Sequence, residues 1–281
     1  MIGRFGRNVL ICVCIGMEVF CLLFGWKQQA ESACCEGPGQ GWIALDDILS
    51  GTQLNEANYR TLFYQTGVSR RAIEAMPKEE RKEVLFRAQQ HFFTRPAVSC
   101  SKSSFICWQE ENENTSLPEI IGLQEGDILI SFCSHTFGWR NGHAAIVVDE
   151  KKGQTLEAIV LGEESCLQSV QKWRYYPSFL VLRLTEASRE ERREIARYAR
   201  ESMEGIPYGF KTDVLEHLGE RWKNMLIDTD CSHLIWKSYL KFGYDLDSDG
   251  GLIVTPRDLA ESPLLEVIQV YGIDPETVRE K

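Results

Sequence analysis

The sequence has no internal repeat, no basic cluster interleaved with aromatic residues, and no pair of cysteines at the short spacing of a structural zinc site. Without a repeat, a solenoid or propeller is not expected. The chain carries 31 Lys and Arg against 41 Asp and Glu, a net charge of −10. With no basic patch to offset that charge, an anionic polymer is repelled at long range, which argues against a nucleic-acid partner. The cysteine spacing argues against a zinc-held fold. Cys133-Ser134-His135 and Cys231-Ser232-His233 do supply two Cys-x-His pairs, so a non-catalytic zinc-binding protein stays as one alternative.

What is present is enough for a full-sized core. Of 281 residues, 43% are apolar and 26% charged, which fits one large domain plus an appendage. At the start, Arg4 and Arg7 precede a mostly apolar run from Val9 to Trp26, followed by a polar stretch with small residues at Ala30 and Ser32. That is the layout of an export signal. Glu18 interrupts the run, and a carboxylate in mid-bilayer is costly, so a cleaved signal over residues 1–33 is expected ahead of a retained membrane anchor. Either places the protein outside the cell or in the envelope. Ser32-Ala33-Cys34 resembles the end of a bacterial lipobox, with Glu31 where an aliphatic residue belongs, and lipidation of Cys34 stays open. Of ten cysteines, Cys12, Cys14 and Cys21 fall in this leader, and seven remain. Seven is odd, so an oxidised monomer keeps one thiol free, and Cys100 with Cys107 is the easiest local pair. The alternative is a reducing habitat in which all seven stay thiols.

Residues 34–116 read as a helical appendage and loop. Apolar residues recur at helical spacing over 54–64 and again over 78–93, and the stretch 94–117, rich in Ser, Asn and Glu, reads as loop or short strands. From 117 onward strands come first, at 127–132, 144–148, 154–160 and 179–184, and helices follow. Ser188 with Glu191 predicts a capping box opening the first helix. A second is expected over 212–225, and a third from Cys231 to just before Gly243. This order gives an α+β domain over residues 117–281.

Two segments carry the chemistry: Asn141-Gly142-His143-Ala144-Ala145 and Thr229-Asp230-Cys231-Ser232-His233. A catalytic cysteine needs its thiolate favoured by a helix N-terminus or an imidazolium. Asp228, Thr229 and Asp230 are cap-type residues that put Cys231 in the first turn, where unpaired amides favour negative charge and could hold an oxyanion. Asp230 itself disfavours a thiolate, so its carboxylate is expected to turn toward the cap or the substrate. His143 supplies the base. Segments 144–148 and 154–160 read as a hairpin in which His143 and Glu157 share a face, making Glu157 the third member of a triad. Trp139 and Trp173 read as core or rim packing.

The flanks resemble a known family. Gly205-Ile206-Pro207-Tyr208-Gly209 followed by Asp230-Cys231-Ser232 is similar to the signature of NlpC/P60 cysteine peptidases. Gly126-Asp127-Ile128-Leu129 leading to Gly142-His143-Ala144, ahead of the cysteine, resembles the circularly permuted branch, the YiiX/YaeF-like amidases, as does Val254-Thr255-Pro256-Arg257-Asp258-Leu259. The resemblance spans about 117–270. It implies a permuted papain-like fold, Cys231 as nucleophile, His143 as base, Glu157 as third member, and Tyr208, Asp230 and Ser232 near the substrate. It implies no cofactor, and an amide or isopeptide substrate such as a cell-wall peptide. His233 stands where glycine is frequent in the unpermuted enzymes, which bears on the pocket wall. Nothing resembles an SH3-like wall-binding domain. The rival is a lipid-directed thiol acyltransferase or hydrolase resembling the lecithin:retinol acyltransferase group, which shares the permuted order. Finally, Asp245, Asp247 and Asp249 match the first half of a calcium loop, but position twelve is Pro256 where a Glu is expected, so an acidic turn without an ion is the expectation.

Overall fold

The register of one hairpin decides where the candidate base and carboxylate meet. In the computed structural model, which describes residues 37–51, 53–102, 107–136, 139–218 and 226–278, strand pairing aligns Val147 with Thr155 and Ile146 with Leu156. That register carries Glu157 to the level of Ala145, diagonal to His143 and on the same face. The predicted leader and the second half of the helix expected over 212–225 lie outside the described residues. No described helix is long and apolar enough to cross a membrane.

The helices are α1 (Asp46–Ser50), α2 (Glu56–Thr66), α3 (Arg70–Ala75), α4 (Lys78–Phe93), α5 (Arg189–Met203), α6 (Lys211–Leu218), α7 (Cys231–Leu240) and α8 (Pro256–Glu261). The strands are β1 (Val98–Lys102), β2 (Cys107–Asn112), β3 (Ile128–Ser131), β4 (Ser134–Thr136), β5 (Trp139–Arg140), β6 (His143–Asp149), β7 (Gln154–Glu157), β8 (Cys166–Ser169), β9 (Phe179–Leu184) and β10 (Leu265–Tyr271). Six of these form an antiparallel sheet in the order β10-β9-β3-β6-β7-β8, and β1-β2-β4-β5 form a second, smaller one. Helices and antiparallel sheets make an α+β architecture.

Helices α5 and α7 both lie against β6. The apolar stripe predicted for α7 is buried at Leu234, Ile235 and Tyr239. For α5, Ile195, Ala199 and Met203 face the core. Ser188 caps it by accepting the Glu191 amide, but the reciprocal half of the predicted capping box is replaced: the Glu191 carboxylate accepts the Tyr244 hydroxyl at 2.9 Å. In the 37–116 region, α2 and α4 occupy the predicted spans, and Leu62, Ile73, Leu85 and Phe92 join the same hydrophobic cluster as the large sheet. The stretch expected as loop or short strands supplies β1 and β2, and β2 pairs with β4 across the expected boundary at 116.

The hairpin also answers the cysteine question for this region. Cys100 pairs across from Glu110, three residues short of Cys107. At about 3.3 Å per residue that separation is beyond a disulfide's reach, so the expected local pair does not form. Cys100, Cys107, Cys133, Cys166 and Cys231 are all thiols.

Candidate functional site

His143 opens β6 directly after Gly142, and that glycine is required. Its φ is +76°, and a Cβ there would sit 2.8 Å from the Ser131 carbonyl oxygen, on the strand that pairs with His143. Side chains rarely adopt that backbone region. The Gly-His pair is thus a local device that brings the imidazole off the end of the sheet.

The imidazole is fixed from two sides. Its Nε2 lies 2.7 Å from Glu157 Oε2, and its ring stacks on Trp173 with centroids 5.5 Å apart and planes 15° from parallel. Glu157 is fully buried and accepts from several donors at once. Thr155 Oγ1 donates to Oε1 at 2.6 Å, Trp173 Nε1 to Oε1 at 3.1 Å, and Lys172 Nζ to Oε2 at 2.5 Å. A buried carboxylate so supplied stays ionised. Burial alone would raise it, but the hydrogen bond and charge of His143 and the charge of Lys172 outweigh burial and hold it at about 2.

With Nε2 held by the carboxylate, Nδ1 is the ring nitrogen available to sulfur, and Cys231 sits beside the ring. Burial pulls the imidazole's proton affinity down; hydrogen bonding to Cys231 and Glu157, with their charges, overcomes it and raises His143 to about 9. The pair therefore favours an imidazolium across neutral pH.

Cys231 is the first residue of α7, buried to 7% exposure. Asp230 is the helix cap: its Oδ1 accepts the Ser232 amide at 2.8 Å and the His233 amide at 3.2 Å. Its carboxylate is thus turned to the cap, one of the two orientations expected. The cap also narrows an expectation. Several first-turn amides were expected to be open to an oxyanion, yet those of Ser232 and His233 are taken by the Asp230 side chain and that of Leu234 by the Asp230 carbonyl. Among the described residues the amide of Cys231 itself is the one left.

His143, Tyr208, Asp230, Cys231 and Ser232 all line one cavity of about 1150 Å³. Glu157 stands behind it, reached through His143 and Lys172. Ser232 Oγ lies 3.7 Å from the Cys231 sulfur. Tyr208 packs edge-on against Phe210; burial first, then the charges of Cys231 and Asp230, push its hydroxyl well above the ordinary range, so it is a neutral donor. His233, which was expected to bear on the pocket wall, is fully buried instead. Its Nδ1 meets Thr229 Oγ1 at 2.9 Å and its ring tilts against Trp236.

The sequence reading missed Lys172 and Thr155, and read Trp173 as packing. Thr155 had a signal, two residues before Glu157 on one strand face. Lys172 and Trp173 had none, since they lie on a 3-10 turn (Val170–Tyr175) whose approach to Glu157 depends on the pairing of β7 with β8.

The two Cys-x-His pairs are engaged separately. Cys133 Sγ lies 3.3 Å from Ser178 Oγ, and His135 Nε2 lies 2.9 Å from Glu110, whose carboxylate also takes Arg140. The acidic turn differs in membership from expectation. Asp247 and Asp249 gather with Asp258, one oxygen of each within 4.8 Å of the others. Asp245 is diverted, accepting Trp236 Nε1 at 2.8 Å. Asp258 in turn caps α8 by accepting the Thr255 amide.

No protein-family description matches the chain, and no curated protein matches it. A solved structure that is similar in part is the crystal structure of the metalloprotein yiiX from Escherichia coli O157:H7. It aligns over 52% of this chain and 96% of its own, with 17% identity and a TM-score of 0.38.

Proposed function

We propose that the protein is a cysteine hydrolase of the permuted papain-like, NlpC/P60-type kind, cleaving an amide or isopeptide bond. The observation that carries this is His143, which contacts Glu157 on one side and Cys231 on the other at the wall of a single cavity. In this reading the Cys231 thiolate attacks the substrate carbonyl carbon, and the oxygen takes the charge beside the Cys231 amide and the α7 N-terminus. The imidazolium of His143 passes its proton to the leaving nitrogen as the C–N bond breaks, leaving a thioacyl enzyme. His143, now neutral, takes a proton from water; the hydroxide attacks the thioester, and sulfur leaves. Glu157 orients the ring and balances its charge throughout. Export by the N-terminal segment and a cell-wall peptide substrate belong to the same proposal. The test is chemical: Cys231 alone among the thiols should react rapidly with iodoacetamide at neutral pH, in a manner lost with His143→Ala. Equal labelling of several cysteines would count against it.

A second reading, a thiol enzyme acting on acyl lipids, is favoured by one observation. Trp139, Ile159, Leu161, Tyr175, Phe210 and Ile253 are exposed yet line the same cavity as Cys231. Apolar surface gathered around a site marks an apolar ligand more often than chance exposure does. If the acyl side of the substrate lies on them, acylation of Cys231 by p-nitrophenyl esters should rise at least tenfold from acetate to decanoate. Leu161→Ser with Phe210→Ser should flatten that rise and leave the acetate rate alone. A chain-length profile that is flat in the wild type returns the choice to peptides.

A further inference from the structure

The sequence reading gave the dyad one carboxylate partner, but the carboxylate has a second cation on it. Lys172 Nζ and His143 Nε2 both meet Oε2 of Glu157, at 2.5 and 2.7 Å, while Oε1 is filled by Thr155 and Trp173. Two cationic groups on one oxygen divide its charge between them, and each repels the other's positive form. Lys172 is not buried as deeply as its neighbours: its side chain is 30% exposed and lines the cavity, whereas Glu157 is at 0%. A lysine needed only to neutralise a buried carboxylate would be redundant while His143 is charged.

We propose that Lys172 is a positioning residue that shares Glu157 with His143, keeps the carboxylate ionised and in place when the imidazole loses its proton, and loosens the imidazolium's hold on that proton. The proposal rests on the thiol–imidazole reading above and deepens it. During turnover His143 is alternately charged and neutral. When it is neutral, Glu157 would be a buried anion that has lost its ion-pair partner, the costly case for a buried pair. Lys172 supplies the partner for that half of the cycle. When His143 is charged, Lys172 opposes it, which suits a group that must give its proton to a leaving nitrogen, since an acid works best with a proton affinity near the working pH.

The other charged or titratable groups around the imidazole come from several elements: Glu157 from β7, Cys231 and Asp230 from α7, Tyr208 from the loop before α6, Tyr176 after the 3-10 turn, and Arg257 from α8, which lines the same cavity. Among the described residues Glu157 is the carboxylate that both His143 and Lys172 meet, and Cys231 adds its own hydrogen bond and charge to the ring. Lys172 is therefore the cation whose removal changes what Glu157 offers the ring.

The experiment follows the His143 ring by nitrogen-15 NMR across pH in the intact protein, in Lys172→Met and in Lys172→Arg, beside steady-state kinetics on an amide substrate. In Lys172→Met the His143 midpoint should rise by about half to one pH unit as the opposing cation is lost. The alkaline limb of activity should move up with it, and kcat at neutral pH should fall about threefold to tenfold with KM unchanged. Lys172→Arg should restore most of each change. An unmoved or lowered midpoint in Lys172→Met overturns the proposal. So does a change in KM alone, which would make Lys172 a substrate contact. If Lys172→Met does not fold, Lys172→Gln replaces it under the same criteria. The titration needs no turnover, so a protein that cleaves nothing refutes the hydrolase reading while the behaviour of the ring still decides this one.

Discussion

Replacing Cys231 by alanine should reduce hydrolysis by at least about a thousandfold while leaving the fold intact, because the reading assigns that sulfur the covalent step. His143→Ala should cost about as much, since residues that act as a unit lose their effect together rather than in parts. The folded state should tolerate both. Cys231 is a small side chain at a helix start and its loss opens little space. His143 stacks on Trp173 and its removal leaves Glu157 with Thr155, Trp173 and Lys172. Glu157→Gln should be intermediate and should change the pH dependence in a fixed direction. In the wild type His143 is held at about 9, above its ordinary 6.5. Removing the carboxylate charge takes away a force that stabilises the imidazolium, so the midpoint and the alkaline limb of activity should both move down toward neutral pH. Circular dichroism and thermal unfolding alongside the kinetics separate loss of chemistry from loss of fold. A Cys231→Ala protein with wild-type activity would end the proposed mechanism.

The site was more legible in the sequence than its surroundings. His143 and Glu157 could be assigned to one face by parity, because a hairpin of alternating residues has only two faces, and the register Val147 with Thr155 agrees. Cys231 could be placed at a helix start because Asp230 has the right chemistry to cap one, and it does. What escaped depended on contacts between distant segments. Lys172 reaches Glu157 from a 3-10 turn, and no local periodicity announces such an approach. Strand β10 was missed for another reason. A bulge between Val267 and Gln269 breaks its alternation, so Ile268 and Gln269 are both buried and the period of two is lost. The second sheet was blurred by composition, since β1 and β2 are rich in Ser, Cys, Lys, Gln and Glu and read only as loop or short strands. Its inner order is polar: Glu110 gathers His135 and Arg140 under a stacked Trp108.

The largest effect on stability should come from a pair outside the cavity. Asp127, in the Gly-Asp-Ile-Leu segment read as a family resemblance, is fully buried and takes Arg183 in a two-pronged contact, Nε to Oδ1 and Nη2 to Oδ2, both at 2.7 Å. Burial nonetheless leaves the Asp127 carboxyl above its ordinary range, so the pair compensates the desolvation only in part. Breaking one side of such a pair is far worse than never having had it. Arg183→Met should therefore cost about 3–5 kcal/mol in urea unfolding at neutral pH. Breaking the solvent-exposed pair of Arg70 with Glu74 in the same way should cost far less, because water screens both charges. The pH dependence checks the cause. A carboxyl whose folded-state proton affinity lies above its unfolded value favours folding as it takes up its proton, so the deficit of Arg183→Met should be greatest at neutral pH and shrink as the pH falls. The consequence reaches the site through the strands. Asp127 immediately precedes β3, β3 pairs Ser131 with His143, and the Tyr239 hydroxyl of α7 donates to the carbonyl of Gly126. The ion pair thus pins the junction between the element that carries the imidazole and the helix that carries the sulfur. Arg183→Met should also slow alkylation of Cys231 at temperatures below its unfolding transition. A double replacement of Asp127 and Arg183 by Leu and Met should recover part of the lost stability, because no buried charge is then left without its partner. Single and double variants equal to the wild type within about 1 kcal/mol would show that the pair is incidental to the fold.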